Sequence, residues 1–221
     1  MREVRADLKS LLTQRLAERL DDIESHANHI VQEVTEHQRL PHWGQSHDLL
    51  ASIGARGGAG YLQVPVLHQR TVMYLLEYMR ERDHEFAVNP EEESHCQMQE
   101  LVLEAHITAY RTLDEFQRRV LRSIWILAFG LHPNVVRSIQ FAKYAPGPNA
   151  NTAWHYDQDS DCTTTIALAN GQGGGMEVWP GIAVPKSVPG VATMFRGRTL
   201  LHRSRPVLEG ERKLLVFWTD L

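Results

Sequence analysis

The stretch "WHYDQDSD", residues 154–161, sets a histidine and a carboxylate two positions apart and follows them with two more acids. In an extended segment, residues i and i+2 lie on one face, so His155 and Asp157 are able to reach a single ion. The pair alone is a weak signal. With 12 histidines and 27 acids among 221 residues, composition by itself supplies about 1.5 His-x-acid pairs. A polar turn around a hydrogen-bonded histidine stays open at this point.

Downstream, "LLHRSRPVLEGERKLLVFW", residues 200–218, places a second histidine, His202, before Pro-Val, a glycine and Arg212. Two histidines and one carboxylate make the facial triad of non-haem Fe(II) oxygenases, which leaves coordination positions free for small ligands. An arginine fork matches a carboxylate bidentately. The ten residues from His202 to Arg212 leave room for a turn and a return into the next strand.

The sequence between and before these motifs has strand character. Val135, Arg137, Ile139, Phe141 and Lys143 alternate with Val136, Ser138, Gln140, Ala142 and Tyr144, a period of two rich in β-branched and aromatic residues. Further strands are expected over 163–169, 176–179, 191–195 and 213–219, divided by Gly, Pro or Asn. Short strands so spaced suit a small sandwich or barrel.

Residues up to about 130 read instead as helices. Leu8, Leu12, Leu16, Leu20, Ile23, Ala27, Ile30 and Val34 recur at steps of three and four, one face of an amphipathic helix. Arg15, Glu18, Arg19, Asp22 and Glu24 take the other face, and Pro41 and Gly44 close the segment. A second helix is expected over 72–82. A third is expected after "NPEEE", with Asn89 as cap, Pro90 in the first turn and Glu91 to Glu93 at the positive end of the dipole. Met98, Leu101, Val102, Ala105, Leu113, Phe116, Val120, Ile124 and Leu127 continue its spacing. The glycine-rich 54–60 is a flexible or tight loop. It lacks the Lys-Ser/Thr pair of a phosphate-binding loop.

Taken in order, the C-terminal motifs resemble the Fe(II)- and 2-oxoglutarate-dependent dioxygenases, and within them the prolyl 4-hydroxylase-like branch. "YAPG" at 144–147 resembles the Y-x-x-G of the strand before the metal motif, and "HYD" at 155–157 its His-x-Asp. "TTTIALAN" and "GGGMEVWPG" are similar to its next strand and glycine-rich hairpin. "HRSRPVLEGER" is similar to its H-x-x-x-P-V-x-x-G-x-(K/R). The resemblance covers about residues 135–221.

The resemblance implies an α+β fold. A double-stranded β-helix core, of jelly-roll or cupin-like type, would be braced by a large N-terminal helical region. The division would fall at 1–132 and 133–221, within one integrated domain. It implies that His155, Asp157 and His202 bind Fe(II) and are the catalytic set. Arg212 would hold the distal carboxylate of 2-oxoglutarate, with Lys213 the alternative one position on. Tyr144 and Thr164 would add hydrogen bonds. Many relatives carry a tyrosine where Leu168 stands here. The implied reaction consumes 2-oxoglutarate and O2 and yields succinate, CO2 and a hydroxylated product. The presence of Asp157 favours hydroxylation over halogenation. Gln158 and Asp159, with Asp161, would suit the amine of an amino-acid-like small molecule or peptidyl substrate. Arg196, Arg198, Arg203 and Arg205 would instead suit an anion. The alternatives are a cupin-like metalloenzyme that uses no 2-oxo acid, or a helical interaction module with an inactive barrel.

Bulk properties set the remaining bounds. The net charge of −4 offers no basic footprint for nucleic acid. No apolar run is long enough to span a membrane. The charged start "MREVRADLKS" lacks a signal-peptide core. Two cysteines, Cys96 and Cys162, make no disulfide framework, so a cytoplasmic protein is expected. The first helix needs a surface to bury its apolar face, which suggests a homodimer through the N-terminal helices.

Overall fold

The computed structural model describes residues 8–38, 43–89, 98–148 and 150–221. The order begins with α1 (Leu8–Leu11), α2 (Gln14–Thr35) and α3 (Trp43–Ser52). A hairpin of β1 (Arg56–Gly57) and β2 (Tyr61–Pro65) follows, then α4 (Gln69–Glu81), β3 (Ala87–Val88) and β4 (Gln99–Val102). Next come α5 (Ile107–Phe116), a π-helical turn over Gln117–Leu121, and α6 (Arg122–Phe129). The rest is strands: β5 (Val135–Tyr144), β6 (Cys162–Ala169), β7 (Gln172–Gly173), β8 (Met176–Val178) and β9 (Ile182–Ala183). The last are β10 (Val191–Phe195), β11 (His202–Ser204), β12 (Val207–Glu209) and β13 (Arg212–Asp220).

Eight strands form one antiparallel sheet in the order β1-β2-β10-β6-β13-β5-β4-β3. A three-stranded sheet, β11-β8-β9, and a two-stranded one, β12-β7, complete the strands. The two faces of the large sheet have different neighbours. Ile139, Phe141, Ile166, Leu168, Leu215 and Phe217 join one core with Leu16, Leu20 and Ile23 of α2, Val72 of α4, and Phe116 and Trp125 of α5 and α6. Ala142, Tyr144, Ala167, Leu214 and Val216 point the other way and meet Val207 of β12. Strand alternation makes this possible. It also explains why β5 is buried at every position from Ile139 to Tyr144.

The helical reading of the N-terminal part holds for α2 and α4 and needs four corrections. The first helix breaks after Leu11, because Leu12 bridges to Leu67 and the Thr13 amide donates to the Val66 carbonyl at 3.0 Å. Gly44 lies inside α3 rather than closing a helix; Pro41 is outside the described residues. β1 and β2 were not expected: the glycine-rich 54–60 tightens a hairpin whose second strand pairs with β10. The expected third helix begins only at Ile107. Leu101 and Val102 are strand, paired with Phe141 and Gln140, because the edge of β5 supplies backbone partners that a helix there would leave unmet. Ala105 ends a 3-10 turn, and Pro90 and Glu91 to Glu93 lie outside the described residues.

The apolar face of α2, Leu16, Leu20, Ile23, Ala27 and Ile30, is buried within the chain's own core. Among the described residues no helix is long and apolar enough to cross a membrane.

Candidate metal and anion site

His155 and His202 form an isolated antiparallel bridge. Each backbone amide donates to the other's carbonyl, at 2.9 and 3.0 Å. The pairing sets the two imidazoles on one face with ring centroids 4.4 Å apart. Each ring is also fixed from behind. His155 Nδ1 lies 2.9 Å from the Ala153 carbonyl, and His202 Nδ1 lies 2.9 Å from that of Leu200. A carbonyl only accepts, so both Nδ1 atoms carry a proton, and each Nε2 offers a lone pair whenever its ring is neutral. The Phe195 ring packs 4.6 Å from that of His202.

Asp157 completes the group. Its Oδ1 is 3.4 Å from His155 Nε2 and 3.5 Å from His202 Nε2. One ligand atom from each residue lies within 4.8 Å of the others. Two ligands at about 2.1 Å from an ion, on adjacent octahedral positions, are about 3 Å apart, so the spacing fits one small cation. Oδ2 accepts from the Thr163 hydroxyl at 2.7 Å, which leaves Oδ1 to face the imidazoles. Burial is the largest influence on the Asp157 carboxyl and opposes its charge. The His155 contact, the His202 ring and the Thr163 hydroxyl outweigh it and hold the carboxyl below its usual range. Burial pushes the His202 imidazole down from its usual value, with Asp157 opposing. Gly197 closes the floor: a Cβ there would stand 2.5 Å from the Ser160 carbonyl and from Thr163 Oγ1, and 2.9 Å from Asp157 Cβ.

Arg212 begins β13, directly opposite Tyr144 of β5. It is 8% exposed. Its Nη1 donates to Ser204 Oγ at 2.9 Å, and its guanidinium carbon stands 5.2 Å from the centre of the Tyr144 ring. Among the described residues no carboxylate pairs with it. Desolvation lowers its basicity, with Tyr144 opposing. Arg212 lines a cavity with Thr165, Ala167, Met176, Thr193 and Leu214, and no acid is in that lining. Lys213, the neighbour by sequence, turns away and pairs with Glu211 at 2.9 Å.

The other expected residues divide. Tyr144 is buried beside Arg212, its hydroxyl 3.6 Å from Met98 Sδ. Thr164 is a correction. It faces the helices, and its hydroxyl accepts from the Trp125 indole at 3.0 Å. Alternation puts Thr163 and Thr165 on the site's side of β6 instead. Leu168 faces the helical core as well. Gln158 and Asp159 are exposed in the turn after Asp157. Asp161 pairs with Arg198, 3.5 Å away, and Arg198 also reaches Asp220. Arg203 and Arg205 both meet Glu177, at 2.7 and 3.3 Å. These charges are largely balanced within the chain, which weakens both substrate hints drawn from them. Trp154 and Trp179 pack edge to face, 5.5 Å apart, with Arg203 against Trp154.

Sequence reasoning missed Thr163, Ser204 and Gly197. The first two were within reach, since Thr163 shares a strand face with Thr165 and Ser204 shares one with His202. Gly197 carried no sequence signal, because only the folded chain brings residues 157, 160 and 163 against it.

No protein-family model matches the sequence, and no curated protein matches it. Solved structures do. A prolyl 4-hydroxylase from Pseudomonas putida is similar at a TM-score of 0.57 and 22% identity, over 81% of this chain and 98% of that one. A viral collagen prolyl hydroxylase from Paramecium bursaria Chlorella virus-1, solved as a 2-oxoglutarate complex, is similar at a TM-score of 0.54 and 19% identity, over 73% and 96% of the two chains. The α-ketoglutarate-dependent carbocyclase SnoK of nogalamycin biosynthesis follows at 0.55 and 17%, over 73% and 79%. The chain therefore shares the double-stranded β-helix fold of the prolyl 4-hydroxylases and other Fe/2-oxoglutarate-dependent oxygenases.

Proposed function

We propose that this chain is an Fe(II)- and 2-oxoglutarate-dependent oxygenase. It hydroxylates an unactivated C–H of an amino-acid-like small molecule or a peptidyl residue and releases succinate and CO2. The observation that carries the reading is a pairing. Two imidazole nitrogens and one carboxylate oxygen converge on a point, and the same barrel buries an arginine that has no counter-ion among the described residues.

The donor set fits a ferrous ion: neutral imidazoles and one carboxylate on one face of the metal leave the other positions open. Arg212 fits a carboxylate. A guanidinium buried against one hydroxyl and one aromatic ring is costly unless an anion joins it. In this reading His155, Asp157 and His202 hold the metal, which supplies the activation of O2. The Ala153 and Leu200 carbonyls hold the two imidazoles in their metal-binding tautomer, and Thr163 orients Asp157. Arg212 and Ser204 hold the distal carboxylate, with Tyr144 forming the wall beside them. A cupin-like metalloenzyme without a 2-oxo acid leaves Arg212 unexplained. The fold likeness to prolyl hydroxylases supports the peptidyl or amino-acid substrate class.

The test is succinate formation from 2-oxoglutarate by the full chain, with and without Fe(II) under air. Iron-dependent succinate that is lost in His202→Ala is expected. Equal turnover by that variant would overturn the ligand assignment.

A further inference from the structure

Within the barrel one polar group is used by neither the triad nor Arg212. Gln140 is 2% exposed, and its Nε2 is buried with no hydrogen-bond partner. Buried amide donors are nearly always paired, and leaving one unmade costs about 1–3 kcal/mol. Among the described residues the one other buried side-chain atom in that state is Asp114 Oδ1. That carboxylate is already satisfied at Oδ2 by Arg118, at 2.8 Å. Gln140 has no such second contact to excuse it.

Its position gives the reason. On β5, Gln140, Ala142 and Tyr144 share the inner face, by strand alternation. Tyr144 is the cross-strand partner of Arg212, and Gln140 that of Val216, four residues along β13. At about 3.3 Å per residue this is about 13 Å along the strand from the Arg212 level. Val216 is in turn the partner of Thr165, and the next inward row pairs Trp218 with Thr163. Thr163 is the residue that holds Asp157. The unpaired donor therefore stands between the anion-binding end of the barrel and the metal-binding end, one row short of the latter. Its inner-face neighbours on β5 and β13 are apolar: Ala142, Leu214 and Val216 belong to one cluster, with Trp218 packed on it. None of these side chains offers an acceptor, so a bound molecule fits the place of one.

We infer that Gln140 is a positioning residue for the 2-oxo acid. It donates its side-chain N–H to the carboxylate at the keto end, while Arg212 and Ser204 hold the far carboxylate. This deepens the reading of the site as a 2-oxoglutarate site and rests on it. Anchors at the two ends of the co-substrate fix its direction in the barrel. They also account for a buried amide that the ligand-free protein leaves unsatisfied.

The experiment is anaerobic titration of the Fe(II)-loaded full chain with 2-oxoglutarate, and separately with 2-oxovalerate, which lacks the distal carboxylate. The readout is the visible charge-transfer band of an iron-chelated 2-oxo acid. Gln140→Met keeps the side-chain length and removes the donor. It should weaken both ligands by the same factor, roughly tenfold, and shift the band. Arg212→Leu should weaken 2-oxoglutarate alone. Ligand-free Gln140→Met should melt at or above the wild-type temperature, because an unmade donor is removed. Gln140→Glu, which sets a negative charge beside the keto-end carboxylate, should weaken both ligands further. Wild-type affinity and an unshifted band in both Gln140 variants would overturn the inference while leaving the 2-oxoglutarate site intact. No band in the wild-type protein would remove that site and this inference with it.

Discussion

Replacing Arg212 with leucine separates binding from stability. Arg212 is a buried cation that donates to one hydroxyl and, among the described residues, meets no carboxylate. Leucine removes a charge that the fold alone does not neutralise, so stability should hold or rise. The cost should appear with ligand. Two charge-assisted hydrogen bonds at about 1.5 kcal/mol each make about 3 kcal/mol, a loss of roughly a hundredfold in 2-oxoglutarate affinity. Thermal shift makes this visible. At a ligand concentration a hundred times the wild-type Kd, binding adds about 2.7 kcal/mol to the wild-type protein and about 0.4 kcal/mol to the variant. For a chain of this size that is a rise of roughly 5–10 °C against about 1 °C. The assay uses Mn(II) in place of iron, so that no turnover occurs, and Lys213→Ala as the control that should behave as wild type. An equal rise in Arg212→Leu would refute the anion-site reasoning. A fall of several degrees in the ligand-free variant would make Arg212 a structural residue instead.

Four further outcomes follow from the geometry. Thr163→Val removes the hydroxyl that orients Asp157 and should lower metal affinity about tenfold, measured by competition with a chelating dye. Gly197→Ala places a methyl group against the Ser160 carbonyl and Asp157 and should lower both the melting temperature and metal affinity. Trp125→Phe leaves the Thr164 hydroxyl without its indole partner and should cost about 1 kcal/mol of stability in urea, with 2-oxoglutarate binding unchanged. Stability should also fall in mild acid. Burial, aided by His29 for His26 and by Arg122 for His132, holds both imidazoles below their usual value. The unfolded chain therefore takes up protons first, and stability declines as pH drops below about 6.5. Urea melts at pH 8, 7, 6 and 5 should show that decline, reduced in His26→Gln; a flat profile would contradict it.

How much was legible in advance depended on the range of the forces involved. The grouping of His155, Asp157 and His202 was legible through the resemblance that the ordered motifs carry rather than through the His-x-Asp pair alone, and the same resemblance pointed to Arg212; each adjoins the strand that positions it. β5, β6, β8, β10 and β13 were readable because strand alternation is local. Thr164 was misplaced by one residue because "TTT" offers three equivalent threonines. Only the pairing with β13 and β10 decides which two face inward. β2 and β4 were hidden because their hydrogen bonds go to strands far along the chain, so nothing local marks "YLQVP" or "QELV" as sheet. In "QELV" the apolar spacing also mimics a helix, and the open edge of β5 outweighs it. The break at Leu12 belongs to the same class, since its cause is Leu67. Gln140 lies between: its face follows from alternation, but its missing partner exists only once the barrel has closed around it.

The central claim is that one barrel holds a ferrous ion on His155, Asp157 and His202 and a 2-oxo acid anchored by Arg212. The most direct measurement is to add Fe(II) and then 2-oxoglutarate, without oxygen, to metal-free protein and to record the visible spectrum. The account predicts a weak charge-transfer band that needs both additions and is absent in His202→Ala. Metal bound with no band on adding 2-oxoglutarate would contradict it and favour a cupin-like metal site. No metal bound at all would reduce "WHYDQDSD" to a polar turn.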